Sequence, residues 1–291
     1  MKTSFSVNDI TIHRIIEEEK GHTPILEFFP TLSKDMLEEN RHWLEPDALE
    51  PDTGNVKLCY QSYIVKTPQH TVLVDSCIGN DKNHPNRPAW TGRKDPAFMH
   101  GMAAAGVKPE EIDFVMCTHL HMDHVGWNTK MENGRWVPTF PNARYLFSET
   151  EYKFWEAQHA QNRLHYMEDS VLPIIEAKKA DLVSSAHGVN DYFTLVPTPG
   201  HTLDHYAVCI GKGGKDALIT GDFIHSPLQA KYPDLAMRVD YNPKQGGETR
   251  WKMLGELCDT STLCCTAHFP SPSVGRIKRW GDGFKCEFVT D

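Results

Sequence analysis

Between positions 119 and 124 the chain reads His119-x-His121-x-Asp123-His124, four potential metal ligands in six residues. Imidazole and carboxylate at this density suit Zn²⁺, and Fe or Mn as the carboxylate share rises. Alternation in an extended or tightly turned loop directs His119 and His121 to one side, while Asp123 and His124 follow the turn and can face a second ion. A lone His-x-His pair would read as solvated or hydrogen-bonded histidines; the full hexad points to metal. Three single ligands follow: His201 in Thr198-Pro199-Gly200-His201-Thr202, Asp222 in Thr220-Gly221-Asp222, and His268 in Thr266-Ala267-His268. Each alone suits a structural role. Together they complete two sets, His119, His121 and His201 for one ion and Asp123, His124 and His268 for the other, with Asp222 free to bridge. Such sets leave a position open for water, the mark of a catalytic rather than a structural site. The expected cofactor is two divalent metal ions, Zn²⁺ first, with Mn, Co or Fe as alternatives.

Ligands this far apart need a scaffold that gathers loops. CYQSYIVKT and HTVLVDSCIG are β-branched runs joined at Pro68-Gln69, the pattern of a hairpin. DPAFMHGMAAAG predicts a helix ending at Gly106, Pro109-Glu110-Glu111 a short turn, and IDFVMCT and ARYLF two strands. Ser148 followed by Glu151 has the capping-box spacing and opens a helix in SETEYKFWEAQHA. YFTLVPTPGHT, YAVCIGKGGKDALITGD and TLCCTAHF predict further short strands. Strand ends at 118–124, 199–205, 221–225 and 267–268 all carry His or Asp, and loops at one edge of a sheet sandwich converge in space. No repeat or Ser/Gly linker divides the chain, so a single domain over 1–291 is expected. Its residues 1–56, polar and punctuated by proline, read as an irregular N-terminal segment with a short helix, packing near the active site.

At 291 residues, 40% hydrophobic and 24% charged, the chain has material for a sizeable core. Thirty Lys+Arg against 39 Asp+Glu give a net charge of −9, and no window collects a basic stripe. Nucleic acid is therefore a poor partner. No window reaches the ~18 uninterrupted apolar residues of a membrane span, and the N-terminus lacks a signal-peptide pattern. The 8 cysteines form no C-x-x-C pair and mostly sit in apolar runs, as buried thiols of a reducing compartment do. We expect a cytoplasmic protein without disulfides, acting on a small molecule away from membranes, with a homodimer as the default assembly.

On these residues the chain resembles a metallo-β-lactamase-fold hydrolase over roughly residues 57 to 280. HLHMDH matches the H-x-H-x-D-H signature, and PGHT, GD and the late histidine follow in the family's order. The resemblance implies an α/β fold, a four-layer αβ/βα sandwich with a two-metal site at one edge. It also implies that Asp75, closing LVD, is the buried aspartate supporting the metal loop. The intervals from His119 to His201 (82), on to Asp222 (21) and to His268 (46) resemble the lactonase branch. HVGWN, FPNARYLFSETEY, GDFIH and AHFPSPSVGRI look closest to acyl-homoserine or pyridoxic-acid lactonases and to methyl-parathion-hydrolase-like enzymes. Many acyl-homoserine lactonases carry Tyr three residues after the bridging Asp; here that position is His225, as in the parathion-hydrolase branch.

The activity so implied is metal-dependent hydrolysis of an ester bond: a metal-bridging hydroxide opens a small lactone or cleaves an ester, and Asp123 returns the proton to the leaving alkoxide. The alternatives are phosphotriester hydrolysis on the same site and a mononuclear iron oxidoreductase of the persulfide-dioxygenase type. His205, four residues past His201, is a candidate to orient a ligand from behind. His225 and Trp127 are candidates for substrate contact, with Trp136 and Phe140 as further walls of an apolar pocket. For Phe28, Phe29 and Trp43 packing is the simpler expectation than a lid.

Overall fold

A hairpin opens the chain where irregular backbone was expected, which corrects the reading of residues 1–56. β1 (Ser4–Val7) and β2 (Ile10–Pro24) pair antiparallel across Asn8-Asp9, with Asn8 at φ 52°. Burial alternates along the first part of β2, at Ile10, Ile12 and Arg14. Two charged side chains hid that period. Arg14 is buried because Gln61 Oε1 accepts from its Nε at 2.7 Å, and Glu17 because its carboxylate accepts from backbone and indole N–H groups described below. The short helix expected nearby is Lys34–Leu44, its N-terminus capped by Ser33.

The computed structural model describes residues 2–290. The remaining strands are β3 (Asn55–Lys66), β4 (Thr71–Val74), β5 (Phe114–Met116), β6 (Thr129–Glu132), β7 (Arg135–Pro138), β8 (Arg144–Ser148) and β9 (Ala180–Val183), followed by β10 (Phe193–Pro197), β11 (Tyr206–Ile210), β12 (Ala217–Ile219), β13 (Leu263–Cys265), β14 (Val274–Trp280) and β15 (Gly283–Phe288). One sheet runs β1-β2-β3-β4-β5-β8-β9, another β10-β11-β12-β13-β14-β15, and β6-β7 is a separate hairpin. The β3–β4 hairpin turns where Pro68-Gln69 predicted, with Lys66 opposite Thr71. Helix Ala97–Ala104 stops before Gly106 at φ 65°, and Ser148 Oγ accepts from Glu151 N at 3.2 Å to start helix Glu149–Gln161. Two late elements had no sequence reading. β14 and β15 alternate lysine and arginine with core residues around Gly281-Asp282, and helix Pro243–Leu257 begins with a Gly246-Gly247 pair that blurs its period.

The chain forms two compact units. The first comprises Thr3–Glu18 and Tyr60–His187, and holds β1, most of β2 and β3, and β4 to β9. Its core gathers Ile15, Ile64, Leu73, Phe98, Val115 and Phe147. The second holds residue 2, Glu19–Cys59 and the chain from Gly188 on; Leu218, Phe223, Leu254, Phe269 and Ile277 lie in its core. Among the described residues no helix is long and apolar enough to cross a membrane.

Within the first unit, Lys82 is buried, with Nζ 2.6 Å from Thr129 Oγ1, 3.8 Å from Asp169 Oδ1 and over the Trp136 ring. Burial pulls its pKa from 10.5 down to about 7, more than the Asp169 and Asp81 charges restore. The unfolded chain therefore holds a proton between those values that the folded chain has released. Stability contributed by this site is lowest below pH ~7 and rises towards pH ~10.5, by at most ~1.4 kcal/mol per unit. Lys82→Met should flatten that rise relative to wild type in urea titrations at pH 7, 8 and 9. Parallel pH dependences of the two proteins would rule it out.

Candidate metal centre

In the first unit the hexad leaves β5 directly, and two backbone loops clamp it. Asp75 follows β4 at φ 58° and its N–H donates to Met116 O at 2.9 Å. Ser76 N donates to His124 O at 2.8 Å, Gly126 N to Cys77 O at 2.8 Å and Trp127 N to Ser76 O at 2.8 Å. The two loops touch so closely that a Cβ on Gly126 would stand 1.9 Å from Ile78 O, and one on Gly79 would stand 2.6 Å from the carbonyl carbon of Gly126. Gly126→Ala must therefore displace backbone on both sides. We expect a loss of about 3 kcal/mol in unfolding free energy, read from the denaturant midpoint; a midpoint within error of wild type would show the loops able to part.

Asp75 orients two imidazoles. Its Oδ2 accepts from His124 Nδ1 at 2.9 Å and from the Thr118 hydroxyl at 3.0 Å, while Oδ1 accepts from Thr118 N at 2.8 Å. Having donated to Asp75, Thr118 Oγ1 accepts from His119 Nδ1 at 3.1 Å. With both Nδ1 atoms so engaged, Nε2 is the atom through which His119 and His124 would meet a cation, and this outward anchoring is how metal-binding imidazoles are held. His119 and His121 present ligand atoms within 4.8 Å of each other, as do Asp123 and His124. His119 and His124 are buried, whereas His121 and Asp123 are partly open.

The second unit carries the later candidates. His201 follows β10 past Gly200 (φ 130°), where a Cβ would lie 2.3 Å from Gly246 N. Asp222 sits in the short turn after β12, its N–H donating to His205 Nε2 at 2.8 Å; His205 Nδ1 in turn lies 2.7 Å from Thr198 Oγ1. His205 thus spans the two ligand loops and presents no free lone pair. The Asp222 carboxylate faces three ring nitrogens: His201 Nε2 at 3.4 Å, His225 Nε2 at 3.2 Å and His268 Nε2 at 3.1 Å. Behind them His201 Nδ1 donates to Asp240 Oδ1 at 3.0 Å and His268 Nδ1 to Cys59 O at 3.0 Å. A neutral imidazole held this way aims a lone pair at the carboxylate, an arrangement that a cation between them stabilises. The donor set fits a divalent transition metal.

His225, 1% exposed, stacks parallel on the His268 ring at 5.5 Å and meets Phe28 edge-on at 5.9 Å. Burial lowers its pKa, against the pull of Asp222. Asp240 goes the other way: burial would raise its pKa, but the hydrogen bond and charge of His201, with His225 and Arg250, hold it below the usual carboxylate value.

Trp127 corrects an expectation. It is not a pocket wall: its ring stacks on Phe98 at 5.1 Å and its Nε1 donates to Glu17 Oε1 at 2.8 Å, so it is core. Phe140 is likewise buried, and Trp136 lies under the Lys82 ammonium. Phe28 and Phe29 pack within their unit, and Trp43 packs edge-on against Trp280 at 5.0 Å. The residues that sequence reasoning missed are Glu17, Asp240 and Arg250. Glu17 accepts from Ile78 N at 2.7 Å and Gly79 N at 3.3 Å besides Trp127, and so pins the loop that bears Asp75; burial raises its pKa. Glu17 is buried out of phase with Ile10, Ile12 and Arg14, so period 2 would have turned it outward, and no local signal marks Asp240 or Arg250.

The family model described as the Metallo-beta-lactamase superfamily matches residues 60–268. An N-acyl homoserine lactonase of Bacillus cereus is 24% identical over 159 residues, 51% of this chain and 56% of that protein. The chain thus spans little more than half the length of the lactonases it matches. A probable metallo-hydrolase of Mycobacterium tuberculosis is 25% identical over 241 residues, 75% of this chain and 76% of that one. A solved structure described as hydrolase AbOPH in the beta lactamase superfamily superposes with a TM-score of 0.81 at 21% identity, covering 99% of this chain and 98% of that one. AidC, a dizinc quorum-quenching lactonase solved with a product, gives 0.78 at 20% identity, with coverages of 99% and 98%. At such identities the superpositions speak to fold, and the fold is the one the family resemblance implied.

Proposed function

Because the chain belongs to the metallo-β-lactamase superfamily, we propose that it is a dinuclear metal-dependent hydrolase that opens a small lactone or cleaves a carboxylic ester. The observation that carries this is the outward anchoring of His119, His124, His201 and His268, each through Nδ1, which reserves Nε2 for a cation. In this reading His119, His121 and His201 would hold one ion, Asp123, His124 and His268 the other, and Asp222 would serve both, with Zn²⁺ as first choice. When bound, the ions polarise a substrate oxygen and bring the pKa of a coordinated water to ~7. Asp123, partly open and with Oδ2 3.9 Å from His124 Nε2, takes up a proton and returns it to the leaving alkoxide. Asp75 and Thr118 keep two imidazoles from rotating, and His205 fixes the backbone of Asp222. Cys59, Cys77, Cys117, Cys264 and Cys265, buried and not joined in disulfides, suit a reducing, cytoplasmic setting.

His225 favours a second substrate class. An imidazole against the bridging carboxylate, in place of a tyrosine hydroxyl, supports phosphotriester hydrolysis on the same ligands. Metal content of the purified protein, run beside a hydrolysis screen of lactones, aryl esters and paraoxon-like triesters, tests both. About two Zn, Mn or Co per chain with lactone or ester turnover supports the proposal, and turnover of triesters alone selects the second class. One iron per chain, no hydrolysis and oxygen uptake on a persulfide would replace both with an oxidoreductase.

A further inference from the structure

Resting on the metal-hydrolase reading above, we infer that Arg250 is a positioning residue for the centre, acting through Asp240 on His201. Arg250 lies on helix Pro243–Leu257 with its side chain wholly out of water. A guanidinium in that position needs a charged partner and hydrogen-bond acceptors, because its desolvation is otherwise uncompensated. Its Nε donates to Pro233 O at 2.6 Å and its Nη1 to Phe223 O at 3.4 Å, which fix the plane of the group. Nη1 also stands 3.6 Å from Asp240 Oδ2, and the Asp240 side chain is buried as completely.

Asp240 has two jobs for its two oxygens. Oδ2 faces Arg250 and accepts from Met237 N at 3.0 Å, while Oδ1 accepts from His201 Nδ1 at 3.0 Å. An anionic partner on Nδ1 sets the ring plane and raises the basicity of Nε2, the atom reserved for metal. Arg250 sets its guanidinium 3.6 Å from the other oxygen of that same carboxylate, and so holds its plane from the far side. Gly246, one turn earlier on the helix, lies beside the pair, 3.4 Å from Nη1 and 3.6 Å from Asp240 Oδ2 measured from where a Cβ would stand, which is ordinary contact. The same helix presses on the ligand loop itself, with Thr249 Oγ1 donating to Pro199 O at 2.6 Å. Arg250 is none of the proposed ligands, and its influence runs through the aspartate.

A plain structural ion pair would add stability without altering metal affinity, and zinc binding separates the two. We would titrate the full chain with Zn²⁺ against a chromophoric chelator for wild type, Arg250→Met, Asp240→Asn and the double variant, with circular dichroism to confirm folding. Each single variant should bind zinc about 10–100-fold more weakly. The double variant should be no weaker than Asp240→Asn alone, because the arginine acts through the aspartate. If Arg250→Met does not fold, Arg250→Gln, which keeps donors towards Pro233 O and Phe223 O but removes the charge, carries the test. Folded variants with wild-type affinity, or losses that multiply in the double variant, would overturn the inference while leaving the hydrolase reading intact. A wild-type chain that takes up no zinc, manganese, cobalt or iron would overturn both.

Discussion

Asp222→Ala should empty the centre of metal and abolish hydrolysis together. In the second unit this one carboxylate faces His201, His225 and His268 at 3.4, 3.2 and 3.1 Å. Its removal takes away the one carboxylate that faces all three Nε2 atoms, so a bound cation loses both a ligand and the charge that offsets its own. The proposed catalytic contribution of metal is several kcal/mol, and each ~1.4 kcal/mol is tenfold in rate, so a loss of about 10³-fold or more is expected. Metal analysis and turnover of the best substrate from the screen should fall in parallel, and Asp222→Asn should fall nearly as far, since it keeps the volume but not the charge. Full activity in the alanine variant would sink the dinuclear reading.

Asp75→Asn should weaken metal binding about 10–100-fold without changing a single ligand. The left-handed backbone at this position, φ 58°, is one that asparagine tolerates, so the substitution adds no backbone strain. Three donors converge on the carboxylate: Thr118 N, Thr118 Oγ1 and His124 Nδ1, at 2.8, 3.0 and 2.9 Å. An amide can accept from one side only. Its NH₂ then opposes the remaining donors, leaving buried groups unsatisfied at a cost of about 1–3 kcal/mol. His124 loses its direct orienting partner and His119 loses the far end of its Thr118 relay. Zinc competition and a denaturant midpoint, measured on the same preparation, should both shift. A stability loss with unchanged zinc affinity would mean that Asp75 only closes the loop.

Local features of the chain were legible to the extent that their signal was local. The β3–β4 hairpin announced itself through Pro68-Gln69, helix Glu149–Gln161 through Ser148 and Glu151, and the hexad through spacing alone. The N-terminal hairpin was misread because its inward-facing positions include Arg14 and Glu17, residues whose burial depends on Gln61, Ile78 and Trp127. Trp127 was misassigned for the converse reason. An aromatic residue beside a metal loop suits a pocket wall or a core, and only its stacking on Phe98 distinguishes them.

The set of candidate ligands therefore belongs to the sequence, since coordination chemistry depends on residue type and His119, His121, Asp123, His124, His201, Asp222 and His268 could be named from type and order. Which nitrogen of each ring faces inward belongs to the tertiary structure. That choice is made by whatever bonds the other nitrogen: Asp75 for His124, Thr118 for His119, Asp240 for His201 and the carbonyl of Cys59 for His268. These partners lie from one to 209 residues away along the chain. No periodicity records such a pairing, because a hydrogen bond depends on distance in space and is indifferent to separation in sequence.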